Sequence, residues 1–173
     1  MNLAYDDKYE ELRSDVISFL QAHQSNAPKA SGAGYLPGFE KDWQITLIQQ
    51  GYAARNIPKE YGGFGADYDF VENYIIEEEF KRAGIVPGHS GDFRLVPTVL
   101  ELGSHVQKLQ LVKPSVEGEM RWCQGYSEPG SGSDLASLKT KAVLEGDEWI
   151  INGQKIWTSG ADISNMIFCL VRT

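Results

Sequence analysis

The sequence predicts an α+β protein in two domains, helical over residues 1–119 and strand-forming over residues 120–173. Two observations carry this. Apolar residues recur at spacings of three and four through the first part of the chain, the period of a helix with one buried face. From Met120 onward that period gives way to alternation, with β-branched and aromatic residues enriched. Helices first and strands afterwards argue against alternating βαβ units.

The elements follow in order. Residues 5–23 form an amphipathic helix, with Tyr9, Leu12, Val16 and Leu20 on one face. Gln24 to Gly38 is polar and glycine-rich and reads as a loop. A second helix covers 39–51, where Phe39, Trp43 and Leu47 share a face and Gly51 closes the end. Ile57 to Gly65 carries three glycines and a proline and reads as a compact turn. The third helix runs from Tyr68 to Ala83, with Val71, Ile75 and Phe80 inward and the acidic run Glu77 to Glu79 on a solvated face. Residues 94–102 and 104–112 are shorter helices, and Lys113-Pro114 interrupts the second. Strands are expected at Arg121–Tyr126, Lys139–Leu144, Trp149–Ile151, Lys155–Trp157 and residues 165–171. Glu145-Gly146-Asp147 makes one hairpin and Asn152-Gly153 a second, because both central positions of such a turn tolerate positive φ. So few strands leave open edges, so the β domain is expected to be unfinished where the sequence stops.

Composition bounds the function. Hydrophobic residues make up 42% and charged residues 23%, which is enough apolar matter for a folded core. Sixteen Lys and Arg stand against 24 Asp and Glu, a formal charge of -8, so the overall field repels nucleic acid and anionic lipid. Cys123 and Cys169 suggest no disulfide framework and read as free buried thiols of a cytoplasmic protein. His23, His89 and His105 match no metal-ligand spacing. Asp6, Asp7, Glu10 and Glu11 do not fit a targeting peptide, and the apolar run Met166–Val171 is far short of the roughly 20 residues of a membrane helix.

Two stretches carry chemistry. Tyr126 to Asp134 follows a strand and offers glycine amides and serine hydroxyls, the donors that a phosphate or a polar ring edge requires. It is neither a P-loop nor a dinucleotide fingerprint, since no lysine and no helix follow in the required register. In isolation it also reads as an ordinary loop. Asn152 to Gly160 places Trp157 before Thr158 and Ser159, so an indole could stack on a flat ring while hydroxyls bond its edge. In isolation Trp157 reads rather as a core residue capping a hairpin.

Together, Ser127-Glu128-Pro129-Gly130 with Gly132-Ser133-Asp134, followed by Asn152-Gly153 with Lys155 and Trp157, resemble the acyl-CoA dehydrogenase family. The likeness extends through Leu138 to Ala142, Gly146 to Ile151, Ile57 to Gly63 and Pro114 to Glu119. It implies an all-α amino-terminal domain followed by the first strands of an antiparallel, barrel-like middle domain. The activity implied is FAD-dependent α,β-desaturation of an acyl-CoA in fatty acid metabolism, with electrons passed to an electron-transfer flavoprotein by a homo- or hetero-oligomer. The implied flavin site spans Gln124, Gly125, Tyr126, Ser127, Gly132 and Ser133, with Ser133 also beside the acyl-CoA chain. Trp157 corresponds to the indole packed on the isoalloxazine, and Thr158 and Ser159 to the hydroxyls beside N5. Gln124 departs from the aromatic residue common at its position, and Tyr126 from a small aliphatic one. The family's catalytic carboxylate comes from carboxy-terminal helices, so no residue here is assigned that role and the chain by itself is expected to be inactive. The alternatives are a non-catalytic short subunit completing a flavin or acyl-CoA site in a hetero-oligomer, and an oxidase that passes electrons to oxygen.

Overall fold

The computed structural model describes residues 6–30 and 41–173. The chain divides into two compact units, Met1–Glu119 and Met120–Thr173. Tyr5, Phe39 and the predicted loop beyond residue 30 lie outside the described residues.

The first unit is helical. Its helices are α1 (Asp7–His23), α2 (Lys41–Gln49), α3 (Phe70–Ala83), α4 (Leu95–Leu102) and α5 (His105–Val116), with a 3-10 turn at Lys59–Tyr61. The apolar stripes meet as their spacing requires: Val16, Leu20, Leu47, Phe80, Val96, Val112 and Val116 form one buried cluster. Gly51 ends α2 at φ +77, a conformation that disfavours any Cβ.

Local chemistry sets the helix ends. Asp69 accepts from the amides of Val71 (2.9 Å) and Glu72 (3.2 Å), so α3 starts at Phe70 rather than Tyr68. The same carboxylate takes bonds from Lys8 Nζ and Tyr9 Oη of α1, and Lys8 foremost holds it at about 2, below the usual carboxylate range. Ser104 and Gln107 form a reciprocal capping box at the start of α5.

Two expectations for this unit are corrected. Glu79 is 3% exposed, not solvated. It lies one helical turn from Ile75 on the inward face of α3, and the Arg13 and Arg82 guanidiniums compensate its charge. Pro114 does not interrupt α5, which continues to Val116. The proline falls in the last turn, so the helix forgoes one bond to the Gln110 carbonyl only two residues before its end, and the Ser115 hydroxyl donates to the neighbouring Leu111 carbonyl. Gln44 was not foreseen at all. Its side chain is buried and donates to the carbonyls of His89 (2.8 Å) and Val116 (2.7 Å), while its oxygen accepts from the His89 amide.

The second unit contains β1 (Trp122–Gly125), β2 (Lys141–Glu145), β3 (Glu148–Asn152) and β4 (Met166–Cys169). Strands β2 and β3 form the expected antiparallel hairpin, with Glu145 opposite Glu148 and Gly146 at φ +63 in the turn. By contrast, β1 pairs with β4 in parallel, Trp122 opposite Met166 and Gly125 opposite Cys169. The described strands thus make two separate two-stranded sheets and no closed antiparallel barrel. The long crossover between β1 and β4 returns the chain to the same end of the sheet, and that requires parallel pairing. Arg172 ties the chain end to β2, its carbonyl accepting from Ala142 and its amide donating to Thr140.

Asn152-Gly153 is not a hairpin turn, and Lys155–Trp157 is not a strand. Gly153 serves close approach instead: a Cβ there would fall 2.3 Å from Thr140 Oγ1. Of the predicted buried thiols, Cys123 is buried, Cys169 is half-buried, and both are free.

Candidate functional site

The motif residues lie in the second unit. Gln124 and Gly125 end β1, and Gly125 is buried so tightly that a Cβ would sit 2.9 Å from Ile167 Cδ1. Its small size serves strand packing. Tyr126 meets Phe168 edge-on, with centroids 5.6 Å apart. Next the chain turns through Pro129-Gly130, with Glu128 and Ser131 exchanging backbone hydrogen bonds of 2.7 and 3.0 Å. The Ser131 hydroxyl donates to the Asp134 carbonyl at 2.7 Å.

That corner leaves Gly132 and Ser133 exposed, and among the described residues neither backbone amide has a hydrogen-bond acceptor. Nothing lies within 4 Å of where a Cβ on Gly130 or Gly132 would be. Free amides beside open space are what a polyphosphate oxygen requires.

Glu128 and Lys155 join the two stretches. Lys155 Nζ donates to the Tyr126 carbonyl at 3.0 Å and to Glu128 Oε1 at 2.9 Å. The Ile156 amide donates to the Ser127 carbonyl at 2.9 Å. Glu128 also accepts from the amides of Lys139 (2.6 Å) and Thr140 (2.8 Å). The two charged side chains are only 8% and 10% exposed. The nearby Thr140 hydroxyl first, then the Lys155 ammonium and the two amides, hold the Glu128 carboxyl at about 2 despite its burial. Such an acid stays ionised and fully engaged, so it is a poor proton acceptor near neutral pH.

Immediately after this anchor, Trp157 adopts φ +58. A non-glycine residue pays about 1–2 kcal/mol for that conformation, which persists only where its surroundings impose it. The Ser159 amide donates to the Trp157 carbonyl at 3.0 Å, closing a tight turn. The indole is 85% exposed, so it does not cap a core. Thr158 and Ser159 follow directly. Among the described residues no hydrogen bond joins Ser133 to Trp157, Thr158 or Ser159; the two ends connect through Glu128 and Lys155.

The donor set fits a flat heteroaromatic ring carrying a pyrophosphate: an outward indole, the hydroxyls of Ser127, Ser133, Thr158 and Ser159, and two free amides. Sequence reasoning included Lys155 in the motif but gave it no role. Its signal was a single cation placed between Asn152-Gly153 and Trp157 in an otherwise uncharged stretch.

A separate cleft of about 330 Å³ lies within the helical unit, with Arg55, Asn56, Asn73 and His89 among its lining. Burial lowers the pKa of His89 to about 4. Among the described residues no cluster of His, Cys, Asp or Glu could hold a metal, and no helix is long and apolar enough to cross a membrane.

Comparison with known proteins gives consistent matches. Residues 6–119 match the acyl-CoA dehydrogenase N-terminal domain, and residues 123–173 match the acyl-CoA dehydrogenase middle domain. The chain is 38% identical to the acyl-CoA dehydrogenase IpdE1 of Mycobacterium tuberculosis, over 95% of this chain and 44% of that protein. Among solved structures it is similar to the Tcur3481-Tcur3483 steroid ACAD, at 31% identity and TM-score 0.69, over 100% of this chain and 45% of that one. It is also similar to the ChsE4-ChsE5 complex of Mycobacterium tuberculosis, at 29% identity and TM-score 0.66, over 100% and 44% respectively. The chain thus spans less than half the length of these relatives.

Proposed function

The chain belongs to the acyl-CoA dehydrogenase family, and we propose that it supplies the FAD-binding segment of a dehydrogenase acting on an acyl-CoA thioester. In this proposal residues 1–119 are the helical domain and residues 120–173 the first part of the middle domain. The observation that carries it is Trp157, which is 85% exposed at positive φ directly after Ile156, whose amide bonds the Ser127 carbonyl.

Each residue has a task that its position suits. Trp157 stacks on the ring, and Thr158 and Ser159 place hydroxyls along its edge. Ser127, with Gln124, Gly125 and Tyr126, lines the pyrimidine end. Gly132 and Ser133 bind the pyrophosphate through their free amides, and the Ser133 hydroxyl also faces the acyl-CoA chain. When bound, FAD supplies the hydride acceptor for α,β-desaturation. Donors aimed in advance at the ring edge stabilise charge arriving there.

Glu128 is a poor choice for the base that removes the α proton, because the Lys139 and Thr140 amides and the Lys155 ammonium already hold its carboxylate ionised. In this proposal no residue of the site is assigned that role, and the chain on its own is expected to show no turnover. Electrons leave the complete enzyme to an electron-transfer flavoprotein. The free thiols suit a reducing cytoplasm.

Titration of FAD into the purified chain tests this, read by flavin fluorescence. Saturable quenching that is lost in Trp157→Ala is the expected result. Equal signals from both proteins, or none, would contradict the assignment. A second reading has an observation of its own: two of the similar solved structures carry two-component names, Tcur3481-Tcur3483 and ChsE4-ChsE5. In it the chain is a non-catalytic subunit completing a site in a hetero-oligomer. Co-purification with a second dehydrogenase-like chain would favour that reading.

A further inference from the structure

Resting on the flavin-site assignment above, we propose that Glu128 and Lys155 are positioning residues whose buried ion pair presents the Trp157 indole for stacking. Neither side chain faces the ligand region; both are almost fully buried, 8% and 10% exposed. Their contacts all lead to the backbone that carries the site. Lys155 Nζ holds the Tyr126 carbonyl, one residue before Ser127. Glu128 sits one residue after Ser127 and takes the Lys139 and Thr140 amides with its remaining capacity. The Ile156 amide bonds the Ser127 carbonyl between them. Three consecutive residues of one stretch, Tyr126 to Glu128, are thereby fastened to Lys155 and Ile156 of the other.

Trp157 is the next residue, and its left-handed backbone is a strained conformation that persists only where neighbouring contacts hold it. An indole held outward before the ligand arrives loses less entropy on stacking than one that must be ordered during binding. The carboxylate is also stable in this task, since its low pKa keeps the pair charged throughout the physiological range.

The test compares Lys155→Met and Lys155→Arg with the unaltered chain, with Glu128→Gln as a second disruption should Lys155→Met fail to fold. Hydrogen exchange at the Ile156 amide, measured without FAD, reports the anchoring directly. The dissociation constant for FAD reports its consequence. Lys155→Met and Glu128→Gln are expected to speed Ile156 exchange and weaken FAD binding, each about ten- to a hundredfold, the worth of one charge-assisted hydrogen bond. Lys155→Arg, which keeps the charge and both donors, is expected to restore most of both. A pair that only stabilised the fold would lower the melting temperature of Lys155→Met and speed exchange at Ile156 no more than at other bonded amides of the strand unit such as Ala142, with FAD affinity of the folded protein unchanged. That result overturns the proposal. If the unaltered chain takes up no FAD while Ile156 exchange still responds, the flavin assignment falls and the anchoring of Trp157 stands.

Discussion

Residues 6–30 and 41–119 bury Val16, Leu47, Phe80, Ile85, Val96, Val112 and Val116 to below 2% exposure, whereas in residues 120–173 the buried apolar side chains are Cys123, Leu138 and Ala142. The hairpin of the second unit leaves Val143, Leu144, Trp149, Ile150 and Ile151 exposed. Packing therefore holds the helical unit together, while hydrogen bonds and one buried ion pair hold the strand unit. The difference shows where each unit is vulnerable. A core built from interlocking side chains fails when volume is removed. A set of loops fastened at a few polar points fails when one of those points is lost.

The largest contrast is expected from truncating Phe80, which is fully buried. Phe80→Ala should cost about 3–5 kcal/mol in urea unfolding of the helical unit. A cost below about 1 kcal/mol would mean that packing does not dominate there. Next is Gln44→Leu, which strips the His89 and Val116 carbonyls and the His89 amide of their partner. The expected loss is about 1–3 kcal/mol by the same measurement, since buried polar groups are then left unsatisfied. A neutral result would show that water reaches those groups.

Acid should separate the units. Burial lowers His89 from 6.5 to about 4, so the unfolded chain takes up that proton first. The helical unit therefore has the full benefit of neutral His89 above pH 6.5 and loses it as pH falls towards 4. Glu128 is lowered from 4.5 to about 2, so its contribution to the strand unit is complete above 4.5 and disappears only towards 2. Melting curves against pH should show the first loss in the helical signal, and His89→Gln should abolish it. The smallest effect belongs to the exposed hairpin: Leu144→Thr should change stability of the chain by no more than about 0.5 kcal/mol. A larger loss would reveal a covering partner in solution.

Much of this contrast was legible in the sequence. The α1 and α3 stripes could be read because Val16 and Leu20, or Val71 and Ile75, recur at the helical period. Period does not report tertiary partners, so Glu79 looked solvated: its counter-ion Arg13 lies 66 residues away. The same limit hid the parallel pairing of β1 with β4. Asn152-Gly153 misled for a different reason. A dipeptide suited to a tight turn also suits close backbone approach, and only the position of Thr140 distinguishes the two uses. Both site stretches were legible as motifs, but the exposure of Trp157 was not, because in isolation it read as a core residue capping a hairpin. Their joining was not, because the Glu128–Lys155 pair spans 27 residues and involves no pattern within either stretch.

The central claim, a flavin site built by residues 124–133 and 157–159, is tested most directly by an amide correlation spectrum of the chain recorded with and without FAD. The account predicts that the Gly132, Ser133, Thr158 and Ser159 amides and the Trp157 indole N–H move with saturable titration, while the Phe80 and Val112 amides stay in place. Shifts confined to the helical cleft around Arg55 and His89, or no shifts at all, would contradict it.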